Sequence, residues 1–548
     1  MISSSASGFS DWTGFRFGAN RPSGAGDYAW AVGKLPSGGF VIAGGDDDSG
    51  CCRWDSVGAF SAEPTQGLSA WIGWFDPDGS KRREHWNWGY LRGPVNRPRW
   101  FDLIPFPDGS VIAAGNIGDS VLFTGSERIS YGTRTPDSLK TELWSEVIAK
   151  GGGGGMGIAK WSPNGNLEWT RLLRLGRASP KASSIAWQVA ATSSGREVLL
   201  SGSIFLDSAG TVWDGADSLQ LPSGSTCFVA RFGIDGTKGR MIGTPCKRSE
   251  HASLALVGDH TVWMAQGDPV TTNSDTSAWG RYDGFRPFLA RMDGPTPSIL
   301  HPLGNMRGSF RAIAAHENGS ILVQGEQAST LDWFGRPIAP RPDTTRGGIG
   351  PVIRTSFLLL ADSTGKPVAF QSLKGFSNAG GWKIRRVPGR GWLLLSWDEQ
   401  DLLGWSRLYL LDDSLNVLEM SDTLPPALDA KVASDGSILL SGYDRAPSRG
   451  SSWLSGSGTM WAATCRVQTP SVGITTPTSS SGALRKSGSL VRIALRPGET
   501  ALLSVHDHAG RSVHRETVHD GSSYLPPRGI HILSLHRGHL TETVKTVR

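Results

Sequence analysis

The chain has 548 residues, enough for several ordinary domains or one large repeat array. Its 72 glycines, 22 tryptophans and 19 phenylalanines, with only 19% charged residues, suit many short strands joined by turns and exclude a mainly helical or disordered chain. A formal net charge of +6 is small for this length, and no Lys/Arg stripe with interleaved aromatics is present, so no nucleic-acid partner is expected.

In chain order, residues Met1 to Gly8 are small and polar. They lack the basic and apolar regions of a signal peptide, and no apolar run is longer than a strand, so no membrane-spanning helix is expected. The first strand-like segment, Asp11 to Gly18, resembles the last strand of a four-stranded unit, yet nothing before it could supply the other three.

Such a unit is clearest from Arg99 to Gly176. RWFDLIPFPDGSVIAAGN reads as two strands joined at Asp108-Gly109, and GMGIAKWSPNGNLEWTRLLRLG as two more joined at Asn164-Gly165. The second-strand core VIAAG (Val111 to Gly115) recurs as VIAGG (Val41 to Gly45), VLLSG (Val198 to Gly202), ILVQG (Ile321 to Gly325), LLLSW (Leu393 to Trp397) and ILLSG (Ile438 to Gly442), with WMAQG (Trp263 to Gly267) a looser copy. A turn glycine precedes most of them, at Gly39, Gly109, Gly195, Gly319, Gly391 and Gly436. Seven units result, and a sheet that cannot bury both faces alone needs such copies beside it. The seventh ends near Val467 without a fourth strand. Asp11 to Gly18 is therefore expected to pair with Thr459 to Val467 and close a seven-bladed β-propeller, removing exposed edges.

This pattern, with FDPDGS (Phe75 to Ser80) and WSPNGN (Trp161 to Asn166), resembles the bacterial delta-sixty repeat of β-propellers over about Asp11 to Val467. The resemblance implies a scaffold rather than a reaction. Residues 470–489, rich in Pro, Thr and Ser, read as a linker between a propeller spanning 1–469 and a small β-domain at 490–548. LLSVHDHAGRSV, the Gly529 to Leu533 segment and the terminal TETVKTVR resemble the C-terminal sorting domain of type IX secretion cargo, with His531 where that family has an aromatic residue. That resemblance implies an immunoglobulin-like sandwich, the secretion machinery as partner, and a secreted or cell-surface protein whose sorting domain is usually cleaved off.

Among the five cysteines, Cys227 and Cys246 flank a hairpin with its turn at Asp235-Gly236, close enough to form a disulfide. Cys465 reads as a buried free thiol and Cys51-Cys52 as a vicinal loop pair. The connections between second and third strands are long and are expected to crowd one face. The residues after the second strands are Asp46, Asn116, Ser203, Asp268, Glu326, Asp398 and Tyr443. Asp46, Asn116, Asp268, Glu326 and Asp398 form a candidate ligand-binding rim. Two of its carboxylates could act as an acid/base pair, while polar residues also simply cap strand ends.

Trp54, Trp213, Trp279 and Trp333 are candidates for stacking on sugar rings, with packing inside their own loops the alternative. Asp46-Asp47-Asp48 offers oxygen ligands for calcium without the spacing of a calcium loop; no other cofactor is expected. Seven of the twelve histidines lie in the C-terminal domain, where His506 and His508 could share a strand face toward a metal, against the alternative of scattered surface residues. The expectation is a monomeric, exported binding module for a carbohydrate or a surface protein. The enzyme alternative is a polysaccharide-cleaving propeller.

Overall fold

The computed structural model describes residues 9–17, 27–46, 68–89, 99–118, 121–123, 155–175, 183–206, 208–214, 217–246, 253–258, 261–266, 287–293, 297–304, 306, 308–327, 329–333, 336–339, 342–343, 352–353, 355–373, 383–397, 405–443, 454–455, 460–467, 484–487, 490–493, 500–507, 512–519, 523–524, 530–537 and 540–547. Backbone contacts divide the chain into two units, Met1–Val467 and Gln468–Arg548.

In the first unit, short apolar runs become strands because turn residues interrupt them at regular intervals. Phe106 N donates to Ser110 O at 2.8 Å and Gly109 N to Phe106 O at 2.9 Å, with Gly109 at φ 88°. Asp108 Oδ1 accepts from both the amide and the hydroxyl of Ser110, at 2.8 and 2.6 Å. The same Asp-Gly-Ser arrangement recurs at Asp435 and Ser437, and Asn318 plays that part for Ser320. A residue with a Cβ holds this left-handed backbone only with strain, which is why glycine marks most of these turns, Leu415 at φ 68° being an exception.

Six sheets take their four core strands in chain order, so each is a meander. The strands Ala427–Val432, Ser437–Tyr443 and Met460–Val467 form a further sheet that is completed by Phe9–Phe17, antiparallel to Met460–Val467. Six blades are thus built from successive strands, against the seven units counted in the repeat, and the remaining three-stranded unit borrows its outer strand from the other end of the unit.

The first strands pack one on the next in a ring. Asp27–Lys34 lies against Arg99–Pro105, then follow Ser183–Ala191, Ser253–Val257, Gly308–Ala315, Lys383–Val387 and Ala427–Val432, which returns to Asp27–Lys34. This is a β-propeller arrangement. A hydrophobic cluster fills each junction between neighbouring sheets. Leu199 faces one neighbour with Leu254 and Phe288, while Val198 and Leu200 face the other with Ile112 and Ile158. Both faces of every second strand are therefore covered, so these strands read as continuous apolar runs rather than alternating ones. Trp71, Trp100, Trp161, Trp263, Trp392 and Trp461 are fully buried in the junctions.

The closing strand serves two junctions at once. Phe9 packs with Leu393 and Leu410, whereas Phe15 and Phe17 pack with Phe40, Trp71 and Phe75 of the first sheet. Cys227 and Cys246 are disulfide-bonded, their Cα atoms 5.7 Å apart. Cys465 is buried and unbonded, and burial pushes its thiol pKa up.

The second unit contains a three-stranded sheet and a four-stranded sheet, the latter ordered Ser512–His519, Thr500–Asp507, Ile530–Arg537, Leu540–Val547. An immunoglobulin-like sandwich is not shown by these strands. Among the described residues, no helix is long and apolar enough to cross a membrane.

Phe17→Ala empties a fully buried site at the ring closure and is expected to cost about 3–5 kcal/mol. Urea denaturation of the full chain checks this, and a change below about 0.5 kcal/mol would show that Phe9–Phe17 does not hold the ring.

Candidate functional site

The site is the channel inside the ring of first strands, and one backbone irregularity shapes it. Five of these strands carry a β-bulge at the same place, at Trp30, Phe101, Trp187, Arg311 and Leu428. A bulge inserts one residue opposite the partner strand and re-aims its side chain. Trp30, Phe101, Arg311 and Leu428 line the channel cavity in consequence.

The bulge also accounts for the glycine that ends the second-strand core. A Cβ on Gly115 would land on the carbonyl oxygen of Arg99, and one on Gly442 would land on that of Pro426. In the first sheet the matching glycine is Gly44, which faces the Tyr28 carbonyl in the same way. The left-handed turn glycine there is Gly38. The core of that sheet is therefore Phe40 to Gly44, one residue earlier than the VIAGG assignment, and the position matching Asn116 is Gly45 rather than Asp46.

At three of the five bulges the next residue ties one sheet to another; Ala31 and Ala312 follow the other two. Asp102 Oδ2 accepts from Val189 N at 3.1 Å, Gln188 Oε1 from Leu254 N at 3.1 Å, and Asp429 Oδ2 from Val32 N at 3.2 Å. Ser253 Oγ donates to Arg311 O at 2.8 Å at another junction. These side chains satisfy first-strand backbone groups that have no partner strand on the channel side.

Asp102 and Asp429 are 1% and 0% exposed, so each needs cations nearby. Lys431 Nζ reaches across from the last sheet to Asp102 Oδ1 at 2.7 Å and to Leu103 O. Asp429 has Arg385, Lys383 and Lys431 at 3.6, 3.7 and 3.8 Å. Burial by itself raises the Asp102 pKa. The charges of Lys431, Lys383 and Arg385 and the Lys431 hydrogen bond outweigh that and hold it below the usual carboxylate range.

The channel wall is chemically divided. Trp30 and Phe101 meet edge to face at 5.3 Å, Tyr28 lies 5.6 Å from Trp30 and 4.8 Å from Tyr443, and the Arg99 guanidinium sits 5.5 Å from the Trp30 ring. Gln188 and Ser253 follow around the ring, then Arg311, Lys383 and Arg385. Trp30, Phe101, Gln188, Ser253, Arg311, Lys383 and Arg385 are among the residues bordering a cavity of about 30 Å³, room for one or two water-sized groups.

The residues singled out in the sequence fare unequally. Glu326 is buried and its Oε2 lies 3.2 Å from Arg311 Nη2, so it is an ion-paired neighbour of the channel. Asn116 is buried at the equivalent register of the second sheet, opposite Arg99 and Met156. The structure thus places Asn116 and Glu326 at matching positions in separate sheets. The backbone of Asp46 pairs with Asp27 at the end of the first sheet.

Trp213 and Trp333 stand at outer strands of the ring. The hairpin Gly210–Asp214 and Asp217–Leu221 adds to Leu167–Leu175, the outermost strand of the preceding sheet, with Trp213 opposite Arg174. Trp333 packs on Phe370 of another outer strand at 5.4 Å. Val121–Phe123 likewise pairs with Lys81–Gly89. Part of each of these connections covers a sheet edge instead of crowding the channel mouth. Trp54, Trp279, Asp268, Asp398, Asp47, Asp48, Cys51, Cys52 and His508 lie outside the described residues. Among the described residues, no three His, Cys, Asp or Glu side chains are grouped to hold a metal ion.

No protein-family profile matches the chain, and no curated protein does. Solved structures similar to it include the periplasmic gluconolactonase PpgL of Pseudomonas aeruginosa, at 10% identity and TM-score 0.35, covering 76% of this chain and 97% of that one. A glucose dehydrogenase aligns at 11% identity and TM-score 0.30, covering 68% and 96%. Prolyl oligopeptidase B of Galerina marginata aligns at 10% identity and TM-score 0.32, covering 77% and 47%. The chemistry of this chain is therefore read from its own residues.

Two outcomes follow from the buried ion network. Asp429→Ala removes the Val32 tie and leaves Lys383, Arg385 and Lys431 without their shared carboxylate. It should cost about 3–5 kcal/mol in urea denaturation, whereas Asp429→Asn, which keeps an acceptor for Val32 N, should cost less. Equal losses would contradict the tie.

The folded-state pKa of Asp102 lies below its unfolded value, so the unfolded chain takes up this proton first as pH falls. Its contribution is complete above about pH 4 and is lost as pH drops through the folded pKa. The urea midpoint should fall below about pH 4, and Asp102→Asn should flatten that dependence. An unchanged slope in Asp102→Asn would contradict the assignment.

Proposed function

We propose that this protein is an exported or cell-surface binding module, a seven-bladed propeller of the delta-sixty type that engages a carbohydrate at one mouth of its channel. The sheet completed by Phe9–Phe17 counts as the seventh blade. The observation that carries the reading is the aromatic group at the start of the first strands, where Tyr28, Trp30, Phe101 and Tyr443 adjoin under Arg99. Flat aromatic faces beside a guanidinium suit the mixed apolar and hydroxylated faces of sugar rings.

The channel carboxylates favour binding over cleavage. Asp102, Asp429 and Glu326 each have cations within 4 Å, and both aspartates also accept from backbone amides. A general acid needs a raised pKa and a proton to give, and Asp102 is held in the opposite direction. The enzyme alternative, a polysaccharide-cleaving propeller, would draw on two of the rim carboxylates, with Asp268, Glu326 and Asp398 as its candidates. Trp54 and Trp279 remain proposed sugar contacts. The second unit is proposed to act as a sorting domain read by type IX secretion machinery. A protein ligand at the surface is the remaining alternative.

The test incubates the full chain with a panel of neutral and acidic polysaccharides, following protein depletion onto the polymer and release of new sugar ends. Depletion without new ends is expected, and Trp30→Ala should weaken it at least about tenfold, the equivalent of about 1.4 kcal/mol. New ends would establish cleavage instead. Neither signal would remove the carbohydrate reading.

A further inference from the structure

The cationic side of the channel carries more than its carboxylates balance. Lys383, Arg385 and Lys431 share Asp429, and none of them comes closer to it than 3.6 Å. Lys431 belongs more closely to Asp102, at 2.7 Å. Among the described residues, three cations therefore face two carboxylates, beside the ion pair of Arg311 with Glu326. One positive charge is left over among side chains that are only 16–20% exposed. An uncompensated charge in so enclosed a place is costly, and an anion entering the channel would remove that cost.

The polar atoms point the same way. Asp429 Oδ1 is buried and makes no hydrogen bond, so its cations stand at ion-pair distance without being consumed by it. Trp30 Nε1 is a buried donor without a hydrogen-bond partner, and Trp30 lines the cavity. The cavity of about 30 Å³ fits a carboxylate-sized group and not a whole sugar ring.

The geometry points to a carboxylate-binding pocket in the channel, in which Arg311, Lys383 and Arg385 hold the acid group of a sugar acid whose ring stays outside the cavity. Guanidinium and ammonium donors beside a carboxylate form the stronger class of hydrogen bond, and Arg presents two parallel donors to it. The assignment rests on the binding-module reading for its sugar, but the acid-group pocket stands on the charge imbalance alone. It makes the preferred carbohydrate an acidic one, such as a uronic-acid polymer, over a neutral one.

Isothermal titration of the full chain at neutral pH tests this with sodium glucuronate, glucose and sodium acetate as probes. Glucuronate should bind saturably, acetate should compete with it, and glucose should give no saturable heat at the same concentration. Arg385→Gln and Lys383→Gln should each weaken glucuronate at least tenfold. Because either change disturbs the Asp429 network, circular dichroism must first show the native strand signal, and the wild-type comparison of the three probes stands without them. Equal binding of glucose and glucuronate would overturn the pocket, as would the absence of saturable binding by both acids. Acid binding with no polysaccharide retention would keep the pocket and remove the glycan function. Retention of polysaccharide with no acid binding would remove the pocket alone.

Discussion

The structure depends on how an inner strand with one unpaired edge satisfies its backbone. In every sheet of the ring, the first strand has a ladder partner on one side only, and the other side faces the channel and the neighbouring first strand. The recurrent bulge addresses this. It turns one side chain inward at Trp30, Phe101, Arg311 and Leu428, and after three of the five bulges it positions the next residue to accept an amide of the adjacent sheet. Asp102, Gln188 and Asp429 make that bond across three junctions. Removing such an acceptor leaves a buried donor unsatisfied, which costs more than a surface bond.

The proposed function draws on the same device. Buried aspartates oblige the ring to supply cations, and Lys383, Arg385 and Lys431 come from the last two sheets to meet them. Trp30 and Phe101 come from the first two. In the proposed function, stability and recognition use one set of side chains, and the channel wall is aromatic on one side and cationic on the other. The proposed binding would use these fixed charges and aromatic faces.

Much of the architecture is legible in the sequence because hairpin chemistry is local. Asp108-Gly109-Ser110 and Asp435-Gly436-Ser437 announce their turns, and the apolar runs of the second strands announce burial on both faces. The pairing of Phe9–Phe17 with Met460–Val467 follows from counting strands. The bulges are not legible, since AWAV and WFDL look like ordinary strands. That is why the first sheet reads one residue out of register, with Gly39 and Gly45 in place of Gly38 and Gly44. A signal was present nonetheless: Asp102 before Val111 and Asp429 before Ile438 stand at the same offset, and Gln188 before Val198 differs by one turn residue.

The candidate site was harder to read because the sequence draws attention to strand ends and exposed tryptophans. Trp213 lies in a connection that pairs with the last strand of the preceding sheet, and Trp333 packs on the last strand of its own sheet. The channel residues are dispersed over the whole first unit and meet only when the ring closes. Hydrogen–deuterium exchange of the full chain with and without sodium glucuronate tests the central claim most directly. Protection gained in segments 27–34, 99–105, 308–315 and 383–387 together is the predicted result. Unchanged exchange in those segments, with protection confined to the outer strands or to 500–547, would contradict it.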